Sequence, residues 1–320
     1  MAQHFLLSAE SRTLSLKGIY QAGEAKAYET FKALRWAATK GEPVCPKCGC
    51  LDSYEIATRR KFKCAACHAQ YSVTSGTIFA SRKLSFTDLL AAICLFVNGS
   101  KGMSSVQLSR DLDCQYKTAF VLAHKLREAL AAETATETLE GEVEIDGAYF
   151  GGHVRPENRK EDRKDRRESE NQSDRRRVVV ALRERGGRTL SFVRHREAEG
   201  VEIARARMVA GAKLFADEAS HWDVLEIDFG GGRINHSVSY SDGHGKHTNN
   251  VESYFSRLRR MVGGQHHHVS HRYLYQYANH AAWLEDHRRR SNGGNAYALL
   301  GGALAHPVSR VWAGYWQRGA

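Results

Sequence analysis

The chain has 320 residues, and its 47 lysines and arginines outnumber its 36 aspartates and glutamates by 11. At roughly 100–200 residues per domain this length asks for two or three domains, and an apolar fraction of 42% is enough to bury a sizeable core. Four prolines exclude a proline-rich linker protein, and the longest strongly apolar run, Leu89 to Val97, is too short to cross a bilayer. The start Met1-Ala2-Gln3-His4 has neither the basic opening nor the apolar stretch of a secretory signal. The expectation is a soluble cytoplasmic protein, and the positive excess favours a polyanionic partner.

In chain order, a helix is expected over Glu24–Ala38, with Gly23 just before its start. Next come two cysteine knuckles, Cys45-Pro-Lys-Cys48 and Cys64-Ala-Ala-Cys67, in the pattern C-x2-C-x15-C-x2-C. Seven cysteines, an odd number, do not suit a full disulfide framework. The spacing instead suits a structural Zn²⁺, because a tetrahedral site needs four thiolates and each tight turn supplies two from one side. Tyr54–Ile56 and Arg59–Lys63 read as two short strands of a zinc ribbon. A pair of redox motifs is the rival reading, but no thioredoxin-like βαβ pattern surrounds them. Cys50 and His68 lie beside the knuckles as bystanders, and Cys94 and Cys114 read as small buried residues in helical contexts.

Ser85-Phe86-Thr87-Asp88 opens a helix over the apolar run, and Gly99 and Gly102 break the chain after it. Ser104 or Ser105 then caps a short helix, Leu112-Asp113-Cys114 turns, and a longer helix carries Ala119, Leu122, Ala123, Leu126 and Leu130 at helical spacing. This is a helix-turn-helix candidate, or else a hairpin that only packs. Beyond a threonine-rich linker the period changes to that of strands: Glu142–Asp146, Arg177–Leu182 and Thr189–Val193, the last two joined by a Gly186-Gly187 turn. A helix over Glu199–Ala210, a short buried strand Lys213–Ala216 ending at Asp217, a further strand around Val224–Ile227, and helices over His247–Met261 and Ser270–Arg289 follow. The order predicts an α/β domain on a mixed sheet. Within it, residues 153–188 hold 13 basic and 8 acidic residues, the composition of a solvated insert.

Asp146 and Asp217 fall at expected strand ends, and Glu252 falls in the first turns of a helix. Three carboxylates brought together repel one another unless cations neutralise them. A two-metal phosphoryl-transfer site is built in this way, with two hard cations about 3.5–4 Å apart acting on the scissile phosphate. Mg²⁺ suits it because that ion needs few protein carboxylates beside substrate phosphates. On the His247–Met261 helix Glu252, Ser256 and Arg259 share one face, and Val251, Phe255 and Leu258 another.

Several strings then carry a resemblance. They are Leu34-Arg35-Trp36, Cys45-Pro-Lys-Cys48-Gly49, Tyr71 to Phe79, and Gln107-Leu108-Ser109-Arg110 with Lys117-Thr118-Ala119. They continue with Glu144 to Gly152, His247-Thr248-Asn249-Asn250-Val251-Glu252-Ser253 and His267-His268-Val269-Ser270. In their order and spacing the chain resembles a DDE-type insertion-sequence transposase, of the group that joins an N-terminal zinc ribbon to a ribonuclease-H-like catalytic domain. The resemblance implies that Asp146, Asp217 and Glu252 are catalytic and hold two Mg²⁺ or Mn²⁺ ions, while Cys45, Cys48, Cys64 and Cys67 hold Zn²⁺. Asn249 is a rival for the third position, because some members have Asn or His there; the carboxylate is the better ligand for a hard cation. Arg259, Arg260, Lys117 and Asn249 are the implied DNA contacts. The chain departs from the group at Gly147, where an acidic residue usually follows the first aspartate, and at Ala148, which replaces a commoner polar residue.

The implied division is a helix and zinc ribbon over 1–80, a helix-turn-helix-like segment over 81–140, a catalytic domain over 141–290 with a basic insert at 153–177, and a C-terminal tail over 291–320. Implied partners are the terminal inverted repeats of a mobile element and target DNA, bound by a homodimer or higher assembly at the nucleoid, with no membrane partner. A non-catalytic zinc-ribbon DNA-binding regulator and a structure-selective nuclease are the alternatives. The Gln265–His268 run reads as a helix connection near DNA, Trp222 as core, and Trp312 and Trp316 as anchors for the tail. Residues 1–80 carry a net +5, 81–140 none, 141–260 +2 and the last 60 residues +4, so the positive charge surrounds the expected catalytic core. Those basic segments are the expected phosphate contacts.

Overall fold

The computed structural model describes residues 4–152, 159–165, 171, 173–233 and 247–318. Much of the basic insert (153–158, 166–170 and 172) lies outside the described residues. The chain forms two compact units, one of Met1–Glu133 with His287–Ala320 and the other of Thr134–Asp286.

In the first unit, helix α1 spans Leu16–Arg35 and bends at Gly23, whose φ of 73° no regular helix contains. The helix begins about two turns earlier than the expected Glu24. Ser15 caps it, its hydroxyl accepting from the Gly18 N–H. Strands β1 (Ser53–Ile56), β2 (Lys61–Cys64) and β3 (Gln70–Tyr71) form an antiparallel ribbon, one strand more than the two expected. Its small apolar face is aromatic, with Trp36 set edge-on to Phe62 at 5.5 Å and to Tyr71 at 6.4 Å. Helix α2 (Phe86–Asn98) is buried on nearly every face. Its first turn is held by Glu24, which accepts from the Phe86 N–H at 3.2 Å and the Thr87 N–H at 2.9 Å. Helices α3 (Ser105–Asp111) and α4 (Tyr116–Glu133) form the expected hairpin, and Ser104 caps α3. Helix α9 (Asn292–Ala305) returns the end of the chain to this unit. There Trp312 is buried, its ring stacked on His124 at 4.2 Å and edge-on to Phe120 at 5.9 Å. Cys94 is buried and Cys114 half-buried.

The second unit is built on a mixed sheet of β4 (Glu142–Phe150), β5 (Arg177–Glu184), β6 (Thr189–Arg194), β7 (Lys213–Ala216) and β8 (Gly231–Arg233), in the order β6-β5-β4-β7-β8. The first three strands run antiparallel as a meander, and β7 and β8 add parallel to β4. This is the mixed α/β, ribonuclease-H-like arrangement that the resemblance implies. Val143, Ile145, Val178, Val180, Leu182 and Leu214 form one core with Ile203 and Ala204 of helix α5 (Gly200–Arg207). Trp222 is 1% exposed within that core. Helices α7 (Asn249–Arg260) and α8 (Leu274–Asp286) belong to the same unit, and Val251, Phe255 and Leu258 are the buried face of α7. Arg183 of β5 and Arg257 of α7 meet the buried Glu285 of α8 at 3.5 and 2.8 Å, a paired charge linking sheet and helices.

Two expectations are corrected. The first strand runs on to Phe150, so Asp146 lies in its middle rather than at its end. Gly147 breaks the apolar alternation and hides the continuation, but pairing with β5 persists as far as Phe150 opposite Arg177. The strand expected around Val224–Ile227 is a helix, α6 (Asp223–Phe229). It buries Leu225 and half-buries Phe229 at i, i+4, while Val224 and Ile227 face solvent.

Candidate functional site

The two cysteine knuckles have the same local structure. The N–H of Gly49 bonds the carbonyl of Cys45 at 2.9 Å, and that of His68 bonds the carbonyl of Cys64 at 3.1 Å. The residue after each second cysteine is left-handed, with φ of 74° at Gly49 and 56° at His68. His68 is thus a turn residue, outside the ligand group of Cys45, Cys48, Cys64 and Cys67. The four sulfurs lie within 4.8 Å of one another, with Cys45–Cys67 and Cys48–Cys64 both at 3.6 Å. A tetrahedron of Zn–S bonds of about 2.3 Å needs sulfurs about 3.8 Å apart, so the cluster fits a structural zinc. The N–H of Cys67 helps to hold the Cys64 thiol down at about 6, toward the thiolate that binds metal.

The acidic residues come together through sheet register. Parallel pairing sets Val143 beside Leu214 and Glu144 beside Phe215. β7 ends at Ala216, and Asp217 follows it directly, close enough to Asp146 for its charge to be felt there. Residues two apart on a strand share a face, so Glu144 and Asp146 point the same way. Glu144 is fully buried and binds the start of α7, accepting from the N–H groups of Asn250 at 2.8 Å and Val251 at 3.0 Å. The Asn250 side chain adds a bond at 2.8 Å and the Arg185 guanidinium another at 2.9 Å. Arg185 also donates to the His247 carbonyl at 2.8 Å. The start of α7 is thereby fixed to β4, and Glu252 in its first turn comes within electrostatic reach of Asp146.

The electrostatics record the crowding. Burial, then the charges of Asp217, Glu197 and Glu252, hold the Asp146 carboxyl at about 7, although the Gly147 N–H bonds it at 2.7 Å. Glu197 is also pushed up, by burial and then by Asp217. Two acidic residues of this region, Glu144 and Glu197, escape a reading of the sequence. Glu144 carried a faint signal, lying two places from Asp146 in a strand whose other inward residues are apolar. Glu197 carried none, being 50 positions beyond Gly147 in a short turn. A site of hard carboxylate oxygens, each disfavouring the others' charge, suits divalent cations and disfavours an empty, fully ionised state.

The other expected positions lie around this point or apart from it. Asn249 is exposed at the first residue of α7, one turn before Glu252, and its carbonyl accepts from Ser253 Oγ at 2.9 Å. Arg259 and Arg260 are exposed in the last turn of α7. A turn with i→i+5 bonding over Met261–His266 follows, and His266 packs edge-on to Tyr277 at 4.6 Å. Lys117 belongs to the other unit, exposed at the start of α4, where its carbonyl accepts from Trp316 Nε1 at 3.3 Å.

Two measurements follow. Cys64→Ser is expected to lower bound zinc from one ion per chain to background by atomic absorption, and to open the ribbon to proteolysis. The second concerns Asp146, whose carboxyl titrates near 3.8 when unfolded and about 7 when folded. Its contribution is therefore fully present below about pH 4 and is lost as pH rises through 7. Without divalent cations Asp146→Asn should match the parent near pH 4 and exceed its stability above pH 7, by on the order of 4 kcal/mol in denaturant unfolding.

The transposase zinc-ribbon domain family matches residues 22–70, and the ISXO2-like transposase domain family matches residues 138–286. A search of curated proteins gave no match. No helix among the described residues is long and apolar enough to cross a membrane. The first match contains both cysteine knuckles and the second contains β4, β7 and α7 with their carboxylates; the chain carries an ISXO2-like DDE transposase domain behind a transposase zinc ribbon.

Proposed function

We propose that this transposase cuts the ends of a mobile element and joins them to target DNA, with Asp146, Asp217 and Glu252 holding two Mg²⁺ or Mn²⁺ ions. The observation that supports the reading is that the charges of Asp217, just after β7, and of Glu252, in the first turn of α7, are felt at Asp146 in the middle of β4. The donor set fits, since all three groups offer hard oxygens and their mutual repulsion is relieved by bound cations. When bound, such ions polarise the phosphate, favour the ionised nucleophile and stabilise the leaving oxygen.

The chain's own residues supply position. Asp146 lies within β4 and Asp217 directly after β7, the strand that pairs with β4, while Glu144 anchors the start of the helix that carries Glu252. Arg259 and Arg260, two turns beyond Glu252, are suited to phosphates flanking the reacting one. In the first step water forms a bond to phosphorus and the element's 3′-oxygen leaves as a hydroxyl. In the second, that hydroxyl attacks a phosphodiester of the target, and the target's own 3′-oxygen leaves. One site serves both steps because only the nucleophile changes. Glu252 is preferred to Asn249 as the third ligand because it is a carboxylate and its charge is felt at Asp146.

The ribbon and the α3–α4 hairpin would recognise the terminal repeats, and two chains acting at the nucleoid would bring two ends together. The basic segments flanking the catalytic unit would contact phosphates, so that affinity falls with salt.

The test is cleavage and strand transfer on a labelled duplex of the element's end with Mg²⁺. Asp146→Asn, Asp217→Asn and Glu252→Gln should each lower both steps by about 100-fold or more with DNA binding retained, and Asn249→Ala should cost less than Glu252→Gln. Binding without cleavage by the parent chain would mark a regulator, and cleavage without joining a nuclease. Full activity of the Asp146 or Asp217 variant would remove the catalytic assignment.

A further inference from the structure

Gly147 follows Asp146 at the position where the resemblance leads one to expect an acidic residue. Its missing side chain leaves a space on β4, and Glu197 fills it. A Cβ built on Gly147 would lie 2.6 Å from the Glu197 Cδ and 2.7 Å from its Cγ, far inside van der Waals contact. Gly147 does not have the left-handed φ that favours glycine, so its backbone does not require the residue. What a side chain here would displace is the Glu197 carboxylate. The Gly147 N–H serves both Asp146 and Glu197, so the two carboxylates flank one donor.

The turn that presents Glu197 is built by a different residue. Glu197–Glu199 is a single turn between β6 and α5, and Glu199 folds it, accepting from the N–H groups of His195 at 3.2 Å and Arg196 at 2.8 Å. Glu199 thus serves the backbone, while the half-buried Glu197 packs its side chain against Gly147, next to Asp146 in β4. Burying a carboxylate against two others is unfavourable unless a cation compensates it.

We infer that Glu197 is a fourth carboxylate of the catalytic metal site, delivered from the β6–α5 turn into the space that Gly147 leaves. The inference rests on the proposed metal site of Asp146, Asp217 and Glu252 and adds to it a residue from another part of the sheet. It also gives Gly147 a function, as the residue that admits the carboxylate.

The experiment is calorimetric titration of MnCl₂ into the full zinc-loaded chain without DNA. Glu197→Gln should weaken Mn²⁺ binding by roughly 10- to 100-fold, the range seen when groups supporting a metal site are removed. Gly147→Ala should weaken it in the same direction without removing any charge, because its methyl displaces Glu197. Glu202→Gln, an exposed change on α5 that removes the same charge, should bind as the parent does. Asp146→Asn serves as the reference for the underlying site, and Glu197→Asp, which keeps a carboxylate, should fall between parent and Glu197→Gln. Parent-like binding by Glu197→Gln and Gly147→Ala, with binding weakened in Asp146→Asn, would overturn the inference and leave the transposase reading standing. Parent-like binding in Asp146→Asn as well would overturn the metal site itself, and this inference with it.

Discussion

Glu144 brings a full negative charge into the interior of the catalytic unit and finds its donors on the elements it must hold. It is fully buried, and its oxygens take the first free N–H groups of α7, the Asn250 side chain and the Arg185 guanidinium. A buried charge left short of partners costs several kcal/mol, so the carboxylate, the arginine and the helix start form one interdependent set. The positive end of the helix dipole favours the same arrangement. The set matters for chemistry because β4 carries Asp146 and α7 carries Glu252. The first unit uses the same device at another place: Glu24 of α1 reaches the opening N–H groups of α2. There it joins two helices and pairs with Arg60 of the ribbon, whereas Glu144 ties the strand of Asp146 to the helix of Glu252.

Around that anchor the structure disfavours the ionised form of Asp146 when no cation is bound. Asp146 resists ionisation because it is buried and faces Asp217, Glu197 and Glu252. Folding energy from the apolar sheet, with Val143, Ile145, Val178, Val180 and Leu182 wholly buried, holds the carboxylates together against their repulsion. The positive charge is kept elsewhere. Residues 153–188 carry a net +5 and the rest of 141–260 carries −3, so the acidic centre has basic surroundings in the sequence suited to a polyanion approaching it.

How much of this was legible depends on the range over which each signal acts. The zinc ribbon was readable because its ligands are local pairs and each knuckle is closed by one turn; its third strand, only Gln70–Tyr71, is too short to show a pattern. The meander was readable because Arg177–Leu182 and Thr189–Val193 carry strand composition beside a glycine turn. Asp146 was identified but misplaced within its strand, since Gly147 interrupts the alternation that continues to Phe150. Val224 and Ile227 have strand propensity, which the helix over Asp223–Phe229 overrides by burying Leu225. β8 begins with two glycines and carries almost no signal. The approach of Asp217 to Asp146 depends on the parallel pairing of β4 with β7 across about 70 residues, and the approach of Glu197 depends on a missing side chain. Neither leaves a periodic trace in the sequence.

The central claim is that these carboxylates form a single site for divalent cations. Anomalous scattering from crystals of the protein soaked in MnCl₂ tests it most directly. A manganese peak among the carboxylates of Asp146, Asp217 and Glu252 is the predicted result. No peak there, with the three carboxylates in the positions described and manganese bound only elsewhere, would contradict it.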